Sequence, residues 1–511
     1  MTTKIIKKIS LTVLFGVFIG GVAALLNPGK SPLIGFLTAS VLGGGGAYLL
    51  NAAVKAMQGN RHIQVATAVS FILRLIIGFT LFVSLPIFGY DEAPPQAGYL
   101  YFDAYRRDTD AWTLAASGSS LFSAFQDEFY TDQYGGLLSL SGALYRYLSP
   151  DAHRPLLVLI LTAFFTSLGL PFFWRALNNI WGEKTANTCA WLYALYPESV
   201  ILGASQMREP ILIGLSAIAF WGVAAWRQDR KKALLALIPS TATIIFISFK
   251  AGFALMLALA IWFWMENILP VVPQRRRLLS YLLLAIVLVL GIYLNWDWFL
   301  DSSKWDLQVM ESSSGRVQYE IDLMGGSIRT PFIIAYGLAQ PVLPAAIIYP
   351  GIPIMRAVAI FRALGWYAIV PLLLTALILM WKDQSPRDKQ FMLYFLLMTA
   401  AWVILSSARA GGDQWDNPRY RSIFLIWMVT PAGWAWVQTI KKRSPWLWRL
   451  ALLELIYIGY FIHWYISRYY GVVKRMMFWD MVRLLGLIGL AVIGGGLLFD
   501  LVYNKFIKRI R

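Results

Sequence analysis

The sequence predicts an all-α membrane protein that crosses the bilayer about fourteen times. Composition supports this fold class, since 58% of the 511 residues are hydrophobic. Only 14% are charged, against roughly 25% in an average soluble protein. The chain also contains a long series of apolar runs, many of them near the roughly 20 residues that a spanning helix needs. These observations exclude a disordered chain, a collagen-like fibre and a disulfide-rich scaffold.

The apolar runs define the predicted spanning helices, and several of them are joined by loops so short that they form helical hairpins. In chain order, the runs cover residues 9–26, 33–50, 64–88, 154–174, 187–205, 211–226, 233–249, 251–270, 278–296, 361–381, 391–408, 421–440, 450–467 and 484–503. The first run follows three lysines, as in a signal peptide, but no convincing small-residue cleavage motif follows it. We therefore expect an uncleaved first span.

Residues 331–360 are apolar but contain five prolines, which predicts a re-entrant or interfacial segment instead of a full span. A full span here would invert the topology of all later helices and place the basic run 441–443 outside. The predicted organisation therefore has five regions. They are N-terminal transmembrane helices (1–88), an external acidic loop with interfacial helices (89–153), a transmembrane core (154–296), an external loop with the re-entrant or interfacial segment (297–360), and C-terminal transmembrane helices (361–511).

The net charge of +18 follows this topology. With the N-terminus in the cytoplasm, the cytoplasmic segments hold 24 Lys and Arg against four Asp and Glu, whereas the two long external loops hold six against fifteen. This positive-inside pattern predicts a multi-pass membrane protein with both termini cytoplasmic, and it requires no nucleic acid partner. One stretch disagrees, because Arg468, Lys474, Arg475 and Arg483 fall outside. Either they bind anionic lipid head groups, or the last two spans are misplaced.

The external loop after the third predicted span concentrates carboxylates and aromatic residues. The aromatic residues interleave with nine carboxylates, as expected of helices that lie in the membrane interface. Asp108 and Asp110 precede Trp112 and are placed to start such a helix, with their charges at its positive end. A carboxylate there can act as a general base toward a hydroxyl or ligate a divalent cation. The alternative interpretation is a solvated acidic loop that only obeys topology.

Polar groups from three other loops fall on the same predicted external side. Arg208 and Glu209 join the fifth and sixth spans, Lys250 lies in a tight hairpin, and Arg419 and Arg421 precede the twelfth span. Charges at membrane depth are costly and often functional, although snorkelling to membrane lipids or a structural ion pair explains any single one. As a set, they offer cations for a phosphate and acids to deprotonate a hydroxyl. A polyprenyl-phosphate-linked substrate needs this arrangement.

The order of several short motifs resembles the GT-C superfamily of polytopic glycosyltransferases, in particular its bacterial protein mannosyltransferases and lipid A aminoarabinose transferases. The matching motifs are the D-x-x-x-aromatic-x-x-A pattern at 108–115, a Tyr-rich stretch at 130–147, a turn at 182–186, A-L-x-P at 194–197 with R-E-P at 208–210, and R-Y-R at 419–421. The resemblance is clearest over residues 89–226. It implies an inverting transfer of a sugar from a polyprenyl-phosphate donor to a lipid, glycan or protein acceptor at the external membrane face.

The resemblance also implies roles for individual residues. Asp108 would be the base that activates the acceptor hydroxyl, with Asp110 as second choice, and Glu209 would assist a metal or the acceptor. The cations that hold the donor phosphate would be Arg208, Lys250, Arg419 and Arg421. A metal cofactor would be Mg²⁺ or Mn²⁺, because carboxylates and phosphate oxygens are hard ligands.

Three other functions stay open. A lipid-linked glycan polymerase or ligase also carries external arginines, but its main external loop usually lies late in the chain. A transporter or flippase predicts ionisable residues deep in several spans, for which Arg74 is the main candidate, and a two-fold repeat, which we do not find in the sequence. A non-catalytic assembly subunit would keep the fold without the activity.

Overall fold

The computed structural model describes residues 2–126, 135–294, 326–381, 384–410, 413–474 and 476–502. Every regular element within these ranges is a helix, and no strand occurs in them. Eight of these helices are long and apolar enough to cross a membrane, or nine if one strongly bent pair counts as a span. The chain is therefore an all-α, multi-pass membrane protein, as its sequence predicts.

The first part of the chain consists of three long helices followed by the elements of the predicted external loop. They are α1 (Thr2–Leu26), α2 (Pro32–Ala56), α3 (Arg61–Phe88), α4 (Phe102–Ser117) and α5 (Gly135–Leu148). Short 3₁₀ turns flank α4. The buried positions of α4 recur every three or four residues, as in a helix that lies on a surface with one face inward.

Seven helices build the central part. They are α6 (Pro155–Trp181), α7 (Glu183–Leu195), α8 (Pro197–Gly203), α9 (Glu209–Ala225), α10 (Arg230–Ile247), α11 (Phe249–Phe263) and α12 (Arg277–Leu294). Helix α9 lies at the centre, since every residue from Glu209 to Val223 is buried. It packs tightly on α6, because a Cβ at Gly169 would lie 2.8 Å from the Cα of Gly214. Small residues at a helix contact allow such close approach within membranes.

The C-terminal part adds eight helices. They are α13 (Gly326–Ala339), α14 (Leu343–Ile348), α15 (Pro353–Leu379), α16 (Pro386–Ala410), α17 (Asp416–Ser422), α18 (Leu425–Lys442), α19 (Trp446–Tyr469) and α20 (Phe478–Val502). Helices α17 and α18 are the bent pair, and they meet at 75°. Helices α19 and α20 form a hairpin, whose far ends are joined by an ion pair of 3.0 Å between Arg449 and Asp500.

Prolines divide two of the predicted membrane segments. The predicted span 187–205 forms two helices, because α7 ends at Leu195 and Tyr196 adopts a non-helical conformation before Pro197. A proline disfavours the helical conformation of the preceding residue. Residues 331–360 are divided in the same way among α13, α14 and the start of α15. The depth of these breaks in the bilayer and the total of fourteen spans stay predictions.

Arg74, the charge that a transporter would place deep in a span, is fully buried within α3. Its guanidinium donates to the carbonyl and hydroxyl of Ser70 at 2.8 and 2.7 Å. It also donates to the carbonyl of Ala194 at 3.1 Å and the hydroxyl of Ser199 at 3.0 Å. These hydrogen bonds join α3 to the break between α7 and α8. Arg74 therefore has a structural contribution that requires no transported ion.

Candidate functional site

Six charged side chains meet where α4 packs against the start of α9 and against α17. We call them the ionic cluster. Its members are Asp103, Arg107, Arg208, Glu209, Asp416 and Arg419. Three acids and three bases thus come together from segments that are far apart in the sequence. This arrangement brings three of the predicted site residues, Arg208, Glu209 and Arg419, into one place.

Arg419 is the centre of the cluster. Its Nη2 lies 2.9 Å from Oδ2 of Asp103 and 3.3 Å from Oδ2 of Asp416, and its Nε lies 3.5 Å from Oε1 of Glu209. Arg107 is 3.1 Å from the same oxygen of Asp103. One guanidinium therefore links α4 to α9 and α17.

Local sequence rules place these side chains. Asp103 and Arg107 are four residues apart, so they share one face of α4. Glu209 is the first residue of α9, with Pro210 in the first turn, where its missing N–H costs nothing. The carboxylate of Glu209 therefore lies at the positive end of the helix.

The arginines of the cluster and Glu209 are buried, and its other two carboxylates are partly exposed. Arg208 and Arg419 are about 2% exposed and Glu209 is 0% exposed, whereas the side chains of Asp103 and Asp416 are 25% and 34% exposed. Burial alone would raise the pKa of Asp103, but the charges of Arg419 and Arg107 and their hydrogen bonds outweigh it. The pKa of this carboxyl consequently lies below its ordinary value, and Asp103 is ionised at neutral pH. Asp103 and Asp416 are therefore the accessible carboxylates of the cluster, and Asp103 is the one that α4 contributes.

The carboxylate of Glu209 is enclosed, yet neither of its oxygens accepts a hydrogen bond from the described residues. Its closest cations, Arg419 and Arg208, are at 3.5 and 3.7 Å, which is beyond a good hydrogen bond. A buried acceptor without donors is costly, and such groups in native proteins call for an explanation such as a bound ligand. Glu209 is therefore placed to accept a hydrogen bond from a ligand between the two arginines.

Lys250 is connected to this cluster through Ser248, which lies two residues before it and contacts Arg208. Ser248 begins α11 and accepts hydrogen bonds from the backbone N–H of Ala251 and from Nη1 of Arg208, the latter at 3.0 Å. Lys250 follows in the first turn of α11 and is half-buried. The α10–α11 turn is thus held against the ionic cluster by the bond between Ser248 and Arg208.

Asp108 lies on another face of α4, with different neighbours. The hydroxyl of Tyr99 donates to its Oδ2 and that of Tyr145 to its Oδ1, both at 2.6 Å, and Nε2 of His153 lies 2.8 Å from Oδ2. Trp112 stacks on the His153 ring. Burial and the adjacent charge of Asp108 raise the pKa of both tyrosines well above the ordinary value. The carboxylate is 3% exposed, so these partners enclose it.

Asp110 is half-buried on α4 and has no ion pair in the described part of the chain. Burial raises the pKa of its carboxyl, and the nearby Arg106 and Arg107 offset this only in part. Neither of the two carboxylates that the sequence favoured as base, Asp108 and Asp110, therefore contacts Arg419. Asp103 does.

Arg421 lies two residues beyond Arg419 but has other partners. It donates at 2.8 Å to the carbonyls of Gly337 and Gln340, at the end of α13, and its guanidinium lies 3.7 Å from the centre of the Trp366 ring. A cation at a helix C-terminus is favourable. Arg421 therefore holds the broken segment in place, and its predicted contact with a donor phosphate stays untested.

Two further side chains at this site were missed from the sequence. Glu198 at the start of α8 and Arg362 in α15 form a buried bidentate pair, with bonds of 2.6 and 2.8 Å. Arg362 also donates to the carbonyl of Trp415 at 2.8 Å and lies over the Trp415 ring. The feature of the sequence that could have indicated Arg362 is its position within the predicted span 361–381, where an arginine is costly. For Asp103, the signal was its spacing of four residues from Arg107.

Comparisons with protein-family models and with curated protein sequences find no match to this chain. No group of three or more His, Cys, Asp or Glu that could hold a metal ion occurs within the described ranges. The divalent cation consequently stays a prediction, for which Glu209 is the available carboxylate ligand.

Proposed function

We propose that this protein is an inverting glycosyltransferase that moves a sugar from a polyprenyl-phosphate donor to an acceptor hydroxyl at the external membrane face. The observation that supports this proposal most strongly is the ionic cluster. It combines an accessible, ionised carboxylate with buried arginines where an amphipathic helix meets apolar spanning helices. A lipid-linked anionic substrate requires both properties at that location. The GT-C-like motifs of the sequence are consistent with it.

The arginines would bind the donor phosphate. Arg208 and Arg419 both approach Oε1 of Glu209, and Lys250 lies two residues after Ser248, which Arg208 contacts. Negative charge on the phosphate increases as the bond to the sugar breaks, so fixed cations stabilise the transition state more than the ground state. A sugar hydroxyl, or a Mg²⁺ or Mn²⁺ ion that bridges to the phosphate, would provide the missing partner of Glu209.

We assign the base to Asp103 in place of Asp108, because the Asp108 carboxylate is enclosed by Tyr99, Tyr145 and His153. The acceptor oxygen would attack the anomeric carbon, and the bond from this carbon to the phosphate oxygen would break. The phosphate would leave with the bonding electrons, and the acceptor proton would pass to Asp103. The lowered pKa of Asp103 suits a late transfer, after the attacking hydroxyl has become acidic.

The proposal includes the topology that the charges of the loops predict. The protein would span the bacterial inner membrane about fourteen times, with cytoplasmic termini and an external site. Under this topology, α4, the starts of α9 and α11, and α17 all lie on the outer side.

The test uses the full-length protein in detergent with polyprenyl-phosphate-linked glucose, mannose and galactose and an extract of bacterial envelope as acceptor. Asp103→Asn should lower the transfer of labelled sugar by about 10²–10⁴-fold, since it removes the proton acceptor. Asp91→Asn is the matched control, because Asp91 is an exposed carboxylate of the same loop. Wild-type protein that consumes none of the donors, or an Asp103→Asn variant of full activity, would contradict the proposal.

A further inference from the structure

A cavity of about 260 Å³ lies at the outer ends of α3, α14, α15 and α19. We call it the tyrosine pocket. The side chains that give it its character are Tyr90, Tyr349, Tyr469, Trp415, Arg356 and Gln414. None of the predicted site residues lines it, so the transfer site described above does not account for it.

The walls of the tyrosine pocket are aromatic rings that stand partly open to solvent. Its three tyrosines are each between 45% and 52% exposed. Tyr349 meets Tyr469 edge to face at 5.9 Å, and Tyr469 stacks on Tyr465 at 6.0 Å, so the rings support one another. The backbone at Gly351, which also lines the pocket, packs against the Tyr349 ring, since a Cβ there would lie 3.0 Å from that ring.

Few polar groups line the pocket, and a single one of those described carries a charge. Arg356 is the one charged residue that lines it among the described residues, and Gln414 adds an amide. Together with the tyrosine hydroxyls, they can donate to and accept from several hydroxyl groups. Such a lining favours a neutral polyol with apolar C–H faces over a strongly anionic ligand, which would require more cations.

Trp415 lies in the chain between a residue of the tyrosine pocket and a residue of the ionic cluster, and it lines the pocket itself. Its ring lies 4.5 Å below the Arg362 guanidinium and meets Tyr101 edge to face at 6.0 Å. Asp416, the next residue, pairs with Arg419 of the cluster, while Gln414, the preceding residue, lines the pocket. The lining of the pocket and the ionic cluster are therefore consecutive in the chain at residues 414–416.

We propose that the tyrosine pocket binds one neutral pyranose ring of a glycan acceptor. This inference rests on the proposed transfer reaction and names the class of its acceptor. The C–H faces of a pyranose stack on aromatic rings, while its hydroxyls take up the hydrogen bonds of Arg356 and Gln414. The volume is slightly below the roughly 300 Å³ at which pockets for drug-sized ligands begin, which suits a single ring.

Binding is tested without turnover, by saturation-transfer NMR on the full-length protein in detergent with the methyl glycosides of glucose, mannose and galactose. We expect saturation of the ring C–H protons of at least one glycoside. Tyr469→Ala should weaken its binding about three- to tenfold, whereas Tyr469→Phe keeps the ring and most of the affinity. Tyr147→Ala is the matched control, since Tyr147 is an exposed tyrosine outside the pocket.

The outcomes separate the pocket from the reaction. Asp103→Asn should bind the glycoside as wild type does while losing transfer. If wild type transfers sugar but Tyr469→Ala changes neither glycoside binding nor the acceptor KM, the pocket inference is wrong and the proposed function stands. If the glycoside binds in the pocket but no polyprenyl donor is consumed, the proposed function fails instead.

A lipid head group is the competing occupant. Short-chain phosphatidylglycerol that saturates in place of every glycoside, and loses its signal in Arg356→Gln, would overturn the inference. Failure of all three glycosides to bind would overturn it as well.

Discussion

Asp103 and Asp108 lie five residues apart on the same helix, yet their surroundings differ in kind. Asp103 faces two arginines and is a quarter exposed, so its charge is balanced by other charges. Asp108 faces two tyrosine hydroxyls and a histidine and is nearly inaccessible, so its carboxylate is held by hydrogen bonds. The first environment leaves an oxygen available to a ligand, whereas the second fixes α4 against α5 and the segment before α6. The sequence motif at 108–115 contains Asp108 but not Asp103, so it does not decide which of the two acids acts.

The largest expected effect concerns the charge balance around Asp103. Arg419→Met leaves Asp103, Glu209 and Asp416 without their common cation, and removal of one partner from a buried ion pair costs about 3–5 kcal/mol. We expect this loss in the free energy of unfolding, measured by thermal or denaturant unfolding in detergent.

Arg421→Met is the control for that experiment, since Arg421 is equally buried but bonds to carbonyls and an aromatic ring. Its loss leaves no carboxylate of the cluster unpaired, and it should cost less than Arg419→Met. Equal losses of unfolding free energy in the two variants would show that the ion pairs of Arg419 add no stability beyond that of a buried arginine bonded to carbonyls.

Asp108→Asn tests the other side of the comparison. An amide cannot accept all three hydrogen bonds that the carboxylate accepts, so the variant should lose about 1–3 kcal/mol of stability. If Asp108 only positions α4, sugar transfer at a temperature where the variant is folded should fall by less than about tenfold. A loss of about 10²–10⁴-fold in a folded variant would instead restore Asp108 as the base.

The smallest effect is a pair of opposite pH dependences on α4. The pKa of Asp103 is lowered in the folded protein, so its stabilising contribution is present above the unfolded value of about 4 and is lost as the pH falls toward the folded value. The pKa of Asp110 is raised by burial, so its contribution is lost as the pH rises from the unfolded value of about 4 through the higher folded value.

Unfolding temperatures between about pH 3 and 6 measure both slopes. The difference between wild type and Asp103→Asn should increase with pH, whereas the difference between wild type and Asp110→Asn should decrease. Parallel slopes would contradict the distinction between the two carboxylates.

The sequence predicts much of the fold, because hydrophobic run length and the prolines act locally. The division of 331–360 follows from such a local pattern, and so does a helix that contains Asp108. The predicted start of that helix at Asp108 is wrong, because α4 begins at Phe102 and the acid in its first turn is Asp103. Arg208, Glu209 and Arg419 were selected because charge at membrane depth is costly, and they do lie together.

The choice among the acids of α4 was beyond a single sequence. It depends on the rotation of α4 about its axis, which distant contacts with Arg419 and Tyr145 fix. Arg362 was missed for the same reason, since its partner Glu198 lies 164 residues away. Non-local pairing of this kind leaves no periodic pattern in the chain.

The enclosed position of Glu209 at the start of α9 also has a consequence for synthesis. Arg419, which lies beside its carboxylate, follows 210 residues later in the chain. At about 5–20 residues per second, α9 therefore waits roughly 10–40 s for this cation. Until then, Arg208 is the arginine of the cluster that can pair with the carboxylate of Glu209. The last third of the protein thus completes the electrostatic balance of a helix that is made much earlier, and a chain that stops early lacks it.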